Sequence, residues 1–224
     1  KTNRFLPHEH WAQVRATIES LPASTPRLAL QAARHRWLFS LLYIGGLRIS
    51  EVCNNSMGDF YWRRGADGLE RWWLEIRGKG DKTRVIPATD ELVSELMRYR
   101  RSNDLGPLPR EGDSAPLLLP LIGGSKSMGR SAVHELVKHI FRETAARLRA
   151  LGPDHEAAAS HVEQASAHWM RHTAGTHQSD NMDLKVVRDN LGHANISTTS
   201  IYVHTEDDAR HDQTTKAHKL GWSV

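Results

Sequence analysis

The stretch 71-RWWLEIRGKGDKTRVIPA-88 breaks the helical rhythm of the chain around it. Its two halves are rich in aromatic and β-branched residues, and the Gly-Lys-Gly-Asp-Lys between them is a hairpin turn signal. With 59-DFYWRR-64 just upstream, the segment predicts a small antiparallel sheet of two or three strands over 59–88.

Working outward, the apolar spacing turns helical on both sides. Pro7 opens a helix that carries Trp11, Val14, Ile18 and Leu21, and the stretch from Pro22 to Pro26 ends it. A second helix is expected from Arg27 to Tyr43, stopped by Gly45-Gly46, with helical spacing resuming from Ile49 to Cys53. Downstream, Thr89 caps a helix whose first turn holds Asp90 and Glu91, where carboxylates oppose the dipole favourably. Residues 102–128, rich in Pro, Gly and Ser, read as a long surface connection, and Ser131–Leu151 as a strong helix. The polar, Ala-rich residues 151–166 read as an insertion or flap. Three short helices follow, Ala167–Ser179, Leu184–Leu191 and Ile196–His204, and the charged tail can form one more. The expected class is mainly α with one small antiparallel sheet (α+β), without internal repeats.

Composition sets outer limits. A chain of 224 residues can bury a substantial core. Hydrophobic content of 39% and charged content of 25% are ordinary for a soluble globular protein, and no apolar run approaches the ~20 residues of a membrane span. The lone Cys53 rules out an internal disulfide framework and fits a reducing compartment, so a cytoplasmic location is expected. A formal charge of +4 leans mildly towards anionic partners.

Candidate chemistry begins at Tyr202, within 190-NLGHANISTTSIYVH-204. A phenol with a reference pKa of about 10 is a poor nucleophile unless helped. Attack on a phosphodiester needs cations at the non-bridging oxygens, a proton acceptor, and an acid for the departing alkoxide. Arginine suits the first task, because its planar fork stays charged and donates two parallel hydrogen bonds. Three places offer the parts. In 45-GGLRISEV-52, Arg48 starts a helix and Glu51 lies three residues on, either orienting it or merely pairing with it. In 77-RGKGDKTRVIP-87, Lys79, Lys82 and Arg84 lie on or beside the hairpin, where the ordinary alternative is a solubilising turn. In 168-HWMRHTAGTH-177, His168 and Arg171 are helix neighbours. That run lacks the carboxylate and cysteine a zinc site would use.

Together, GLRISE, GKGDKTR, HWMRH and LGH, with Tyr202 nine residues past His193, resemble in order the catalytic domain of the tyrosine recombinases of the phage integrase family, Xer-like members included. The resemblance spans essentially the whole chain, although 151–166 and the connection at 63–71 are longer than the family pattern. It implies that Arg48, Arg171 and His193 bind the scissile phosphate, and that Lys79 protonates the leaving 5′ oxygen. It further implies that His168 takes the Tyr202 proton with support from Glu51, that Lys82 and Arg84 touch backbone phosphates, and that neither metal nor cofactor is needed.

The implied partner is double-stranded DNA bearing paired recombination sites, bound by a tetramer in which residues 206–222 dock on a neighbouring protomer through Leu220 and Trp222. Family members also carry an N-terminal DNA-binding domain, so residues 1–224 are expected to be the C-terminal catalytic part. Two other readings share the residues: a type IB topoisomerase or telomere-resolving enzyme of the same chemistry, and a DNA-binding module without catalysis.

Overall fold

The computed structural model describes residues 3–122, 124, 126–193 and 201–223, and for residues 193 and 201–205 the backbone alone. Helices α1 (His8–Glu19) and α2 (Pro26–Gly45) open the chain. Thr25 caps α2 by accepting the Leu28 amide, and Gly46 ends it in the left-handed conformation at φ 58°. A Cβ at Gly46 would lie 2.6 Å from the Leu191 side chain, so glycine is required there for conformation and for space. Short α3 (Ile49–Asn54) follows with Arg48 as its N-cap.

The sheet has three strands, β1 (Phe60–Arg64), β2 (Glu70–Arg77) and β3 (Thr83–Ala88), antiparallel in the order β1-β2-β3. Phe60 pairs with Leu74, and Leu74 with Ile86, so this alternating set turns one face to the helical core. Thr89 then caps α4 (Asp90–Ser102) by accepting the Leu92 amide, as its sequence predicts.

Helix α5 (Arg130–Ala150) leads to α6 (Glu156–Gln164), α7 (Ala167–Asn181), α8 (Leu184–Arg188) and α9 (Ile201–Ala217). The C-terminal half of α2 is the centre of the core: Trp37, Leu38, Phe39, Leu41 and Leu42 are almost inaccessible. Phe39 meets Phe141 of α5 edge-on, and Trp37 stacks on Tyr99 of α4. No helix among the described residues is long and apolar enough to cross a membrane.

Two expectations need correction. Residues 151–166 are not a flap: α6 lies along α5, and Ala159, Val162 and Ala165 are fully buried. Small side chains allow this close approach, yet they give little hydrophobic signal in sequence. The 102–128 connection is not wholly superficial either, since Leu117 and Leu118 enter the core and the Trp37 indole donates to the Leu117 carbonyl at 2.7 Å. The expected helix Ile196–His204 falls partly on residues 194–200, outside the described set. From Ile201 onward, one helix runs on into the tail without a break.

The tail is expected to dock on a neighbouring protomer once a tetramer forms on DNA. Here it packs on its own domain. Asp207, Asp208, Arg210, His211, Thr214, His218 and Leu220 are buried. His218 bonds the Tyr43 carbonyl at 2.7 Å, and the Trp222 indole donates to Ser40 at 3.1 Å beneath the Arg36 guanidinium. Burying Leu220 and Trp222 in this way satisfies their apolar surface within one chain. Removing residues 218–224 is therefore expected to cost at least about 3 kcal/mol and lower Tm by roughly 10 °C. A thermal melt checks this, and an unchanged Tm would refute the packing.

Candidate active site

Three chain segments converge on a cavity of about 520 Å³. The turn from α2 into α3 contributes Arg48, Ser50 and Glu51; the β2–β3 hairpin contributes Gly78, Lys79, Lys82, Thr83 and Arg84; α7 contributes Arg171, with Leu191 and Gly192 closing the wall. The first two segments lie at element ends, whereas Arg171 projects from within α7.

Glu51 organises the interior. It is buried, accepts the Arg48 amide at 2.9 Å as a capping partner and lies 3.1 Å from the Arg48 guanidinium. It also takes a bidentate pair from Arg84 at 2.5 and 3.0 Å. Burial pushes the Glu51 carboxyl upward, but Arg84, the Arg48 amide and Arg171 outweigh it and hold it below the ordinary carboxylate range.

Arg84 therefore does not reach outward as the hairpin reading implied. Its side chain is 7% exposed and spent on Glu51. Alternation along 83-TRVIPA-88 contains the reason: Arg84 shares its face with inward-pointing Ile86 and Ala88. Its place is behind the cavity wall, where it props Glu51.

Arg171 is gripped by two carbonyls. One guanidinium nitrogen donates to Gly46 at 2.6 Å, the other to Leu191. Burial first, then repulsion from Arg84 and Arg48, pushes its pKa down to about 10, with Glu51 opposing. Three guanidinium groups thus face one carboxylate. The surplus positive charge is costly while the cavity is filled by solvent, and a bound anion relieves it. Arg48, with 55% of its side chain exposed, is the outward arm of this set. Lys79 and Lys82 are exposed on the hairpin and form no ion pair among the described residues.

His168 lies in an adjoining cavity of about 360 Å³ that shares Arg171 and Leu191 with the first. Its Nε2 is 2.9 Å from Nε2 of His172, one turn along α7. One ring must donate and the other accept, so the pair holds a single proton between these nitrogens. Partial burial, then His172, Arg171, Arg4 and Arg48, lower the His168 pKa below its usual 6.5. His168 is consequently neutral at pH 7 and able to accept a proton.

His177 takes no part: it is buried between the Tyr43 hydroxyl and the Leu6 carbonyl. The side chains of His193 and Tyr202 lie outside the described residues. Their backbones stand directly after Gly192 of the cavity wall and at the second position of α9. Sequence reading passed over Ser50 and Thr83, and weighed His172 only as a metal ligand. The first two adjoin named motif residues, and His172 follows His168 at the i+4 spacing that signals contact.

The model of the phage integrase family matches residues 14–209. The tyrosine recombinase XerD of Brucella abortus is 31% identical over 208 residues, covering 92% of this chain and 59% of the relative. That of Rickettsia prowazekii is 30% identical over 168 residues, 75% of this chain and 50% of the relative. The chain thus spans about half to three fifths of these curated relatives.

Among solved structures, the XerH site-specific recombinase bound to its difH substrate aligns with a TM-score of 0.58 at 23% identity, covering 95% of this chain and 52% of that one. The integrase of mycobacterium phage Brujita aligns with a TM-score of 0.56 at 17% identity, over 96% and 58%. At these identities the structures speak for the fold. With the family match over most of its length, and the fold shared with both recombinases, the chain belongs to the phage integrase family, the tyrosine recombinases.

Proposed function

We propose that this chain carries the strand-cleaving and rejoining chemistry of a site-specific DNA recombinase. The observation that supports it most is the cavity where Arg48 and Arg171 meet Lys79 and Lys82 around a single buried carboxylate. Such a site suits a phosphodiester in the act of gaining negative charge.

In this reading Arg48, Arg171 and His193 hold the non-bridging oxygens of the scissile phosphate. The Tyr202 oxygen attacks phosphorus, its proton passes to neutral His168, and the bond to the 5′ oxygen breaks. Lys79 protonates that oxygen, leaving a 3′-phosphotyrosine and a free 5′-hydroxyl. Attack of the hydroxyl from a partner strand reverses the step, so a Holliday junction forms with the phosphodiester bond energy conserved. Neither ATP nor a metal enters the balance, since the arginines and lysines supply the charge. Lys82 contacts flanking backbone phosphate, and four copies assemble on two paired sites. Tail exchange between these copies would first release the contacts that Leu220 and Trp222 make within one chain.

The test incubates the protein, in the longest form its gene encodes, with a pool of nicked duplexes of randomised core, in EDTA and without ATP. Expected is a denaturant-resistant protein–DNA adduct, absent in Tyr202→Phe, whose captured DNA identifies the site. Sequence-selective binding with no adduct would sink the reading in favour of a non-catalytic module. Supercoil relaxation with no preference among sites would favour a topoisomerase.

A further inference from the structure

The connection at 63–71, longer than the family pattern, plays no part in the chemistry above, yet it is among the most heavily tied pieces of the surface. Its turn closes through the Gly65 amide on the Leu69 carbonyl at 2.8 Å. Arg71, at the start of β2 and 5% exposed, donates a bidentate pair to Asp67 at 2.8 and 2.6 Å. It donates a second bidentate pair to Asp212 of α9, both bonds at 2.9 Å. Asp208 of α9 lies 3.7 Å from the same guanidinium and accepts the Ala66 amide at 2.8 Å. Beside it, Arg63 pairs with Asp207 at 3.0 Å and lies 4.6 Å from the ring of buried Trp73, which Arg210 also approaches at 5.2 Å.

Two features argue that this is more than surface decoration. A side chain at Gly65 would run into the Arg71 guanidinium and come within 2.6 Å of the Asp208 carboxylate, so the ends of this pair close over the turn just where glycine leaves room. Moreover, α9 runs unbroken from Ile201, and Asp207 and Asp208 sit five and six residues after Tyr202. At 1.5 Å per residue, that places the grip roughly 8–9 Å along a stiff rod from the Tyr202 backbone. Glu206, nearer still, makes an exposed 3.6 Å pair with Lys185. Fixing residues 207, 208 and 212 therefore fixes where the helix begins.

We propose that the β1–β2 connection is a positioning clamp acting in cis, in which Arg71, braced by Asp67, holds Asp208 and Asp212 and so sets the Tyr202-bearing helix against the arginine cavity. The idea rests on Tyr202 being the nucleophile, and the clamp residues act only through it. A displacement of about 1 Å in a reacting group can cost on the order of a hundredfold in rate.

Two mild variants test it while leaving Arg71 in place. Gly65→Ala displaces the ends of Arg71 and Asp208 with every charge retained, and Asp212→Ala removes one partner whose side chain is 62% exposed. In the DNA-free protein, amide hydrogen exchange over residues 201–206 should rise about tenfold in both, with Tm nearly unchanged. At saturating DNA, adduct formation should fall about tenfold or more while DNA affinity stays within about twofold. Asp212→Glu, which keeps the pair, should restore both. Unchanged exchange at 201–206 would overturn the clamp. Raised exchange with an unaltered or faster adduct rate would also overturn it, since the contact would then restrain the helix rather than place it. Should the unmodified protein form no adduct at all, the recombinase reading fails by itself, and the exchange measurement still decides whether the turn grips α9.

Discussion

Arg171→Ala should slow phosphotyrosyl adduct formation about a thousandfold at saturating DNA while changing stability little. The rate effect is that of losing a preorganised donor at a charge-developing oxygen, typically a hundred- to thousandfold. The larger figure is expected because Arg171 is half-buried and immobilised by the Gly46 and Leu191 carbonyls, so no reorganisation is needed when charge appears. The stability effect is small because two contributions oppose. Removing the side chain leaves two carbonyls without a donor, a cost of about 1–3 kcal/mol. It also removes a cation that burial, Arg84 and Arg48 already disfavour. Arg171→Lys should recover only part of the rate, since an ammonium lacks the fork that spans two carbonyls and a phosphate. Single-turnover cleavage of a nicked duplex, with thermal melts alongside, measures both. An adduct rate within tenfold of the parent would remove Arg171 from the phosphate site.

Lowering the pH from 7 to 5 should destabilise the domain by on the order of 5 kcal/mol, through three buried histidines. His35, His177 and His218 are each pushed down to about 4, mainly by burial. Neighbouring basic groups disfavour a further proton as well: His139 and Arg34 at His35, His8 stacked 3.7 Å from His177, and His177 beside His218. The sign follows from where the proton is welcome. In the unfolded chain these rings titrate near 6.5, in the folded one near 4, so between those values the unfolded state binds more protons. Stability is thus fully present above about 6.5 and drains away as pH falls towards 4. Each ring contributes about 2 kcal/mol at pH 5, a large share of the 5–15 kcal/mol typical of a domain. Urea titrations at pH 7, 6 and 5 check this. A midpoint that does not move would mean the rings are protonated in the native state.

What was legible in the sequence follows the strength of each physical signal. The alternation in WWLEIR and TRVIPA, and the turn between them, predicts the sheet. Thr89 and the Gly45-Gly46 pair mark element ends because capping chemistry is local. The order of motif residues led to the family, and the structure brings Arg48, Lys79 and Arg171 around one cavity. The misses share a cause: they depend on contacts distant in sequence. Arg84 reads as a surface base until Glu51, 33 residues away, is seen to neutralise it. Ala159 and Val162 look solvent-tolerant until α5 covers them, and Leu117 looks like loop until Trp37 needs an acceptor. Charged residues of the tail hide their role likewise, because Asp208 and Asp212 find Arg71 141 residues back or nearly so.

The two carbonyls that hold Arg171 have a consequence for a protein made one residue at a time. Gly46 lies 125 residues before that arginine and Leu191 lies 20 after it, so the guanidinium is the rivet through three plates. Until the late plate emerges from the ribosome, the rivet has only one end fastened, and the cavity lacks the wall of Leu191 and Gly192. An unfinished chain that stops short of Leu191 would then lack one of the two carbonyls that hold Arg171. Assembly of the fold and arming of the site become one event, a safety catch that needs no inhibitor.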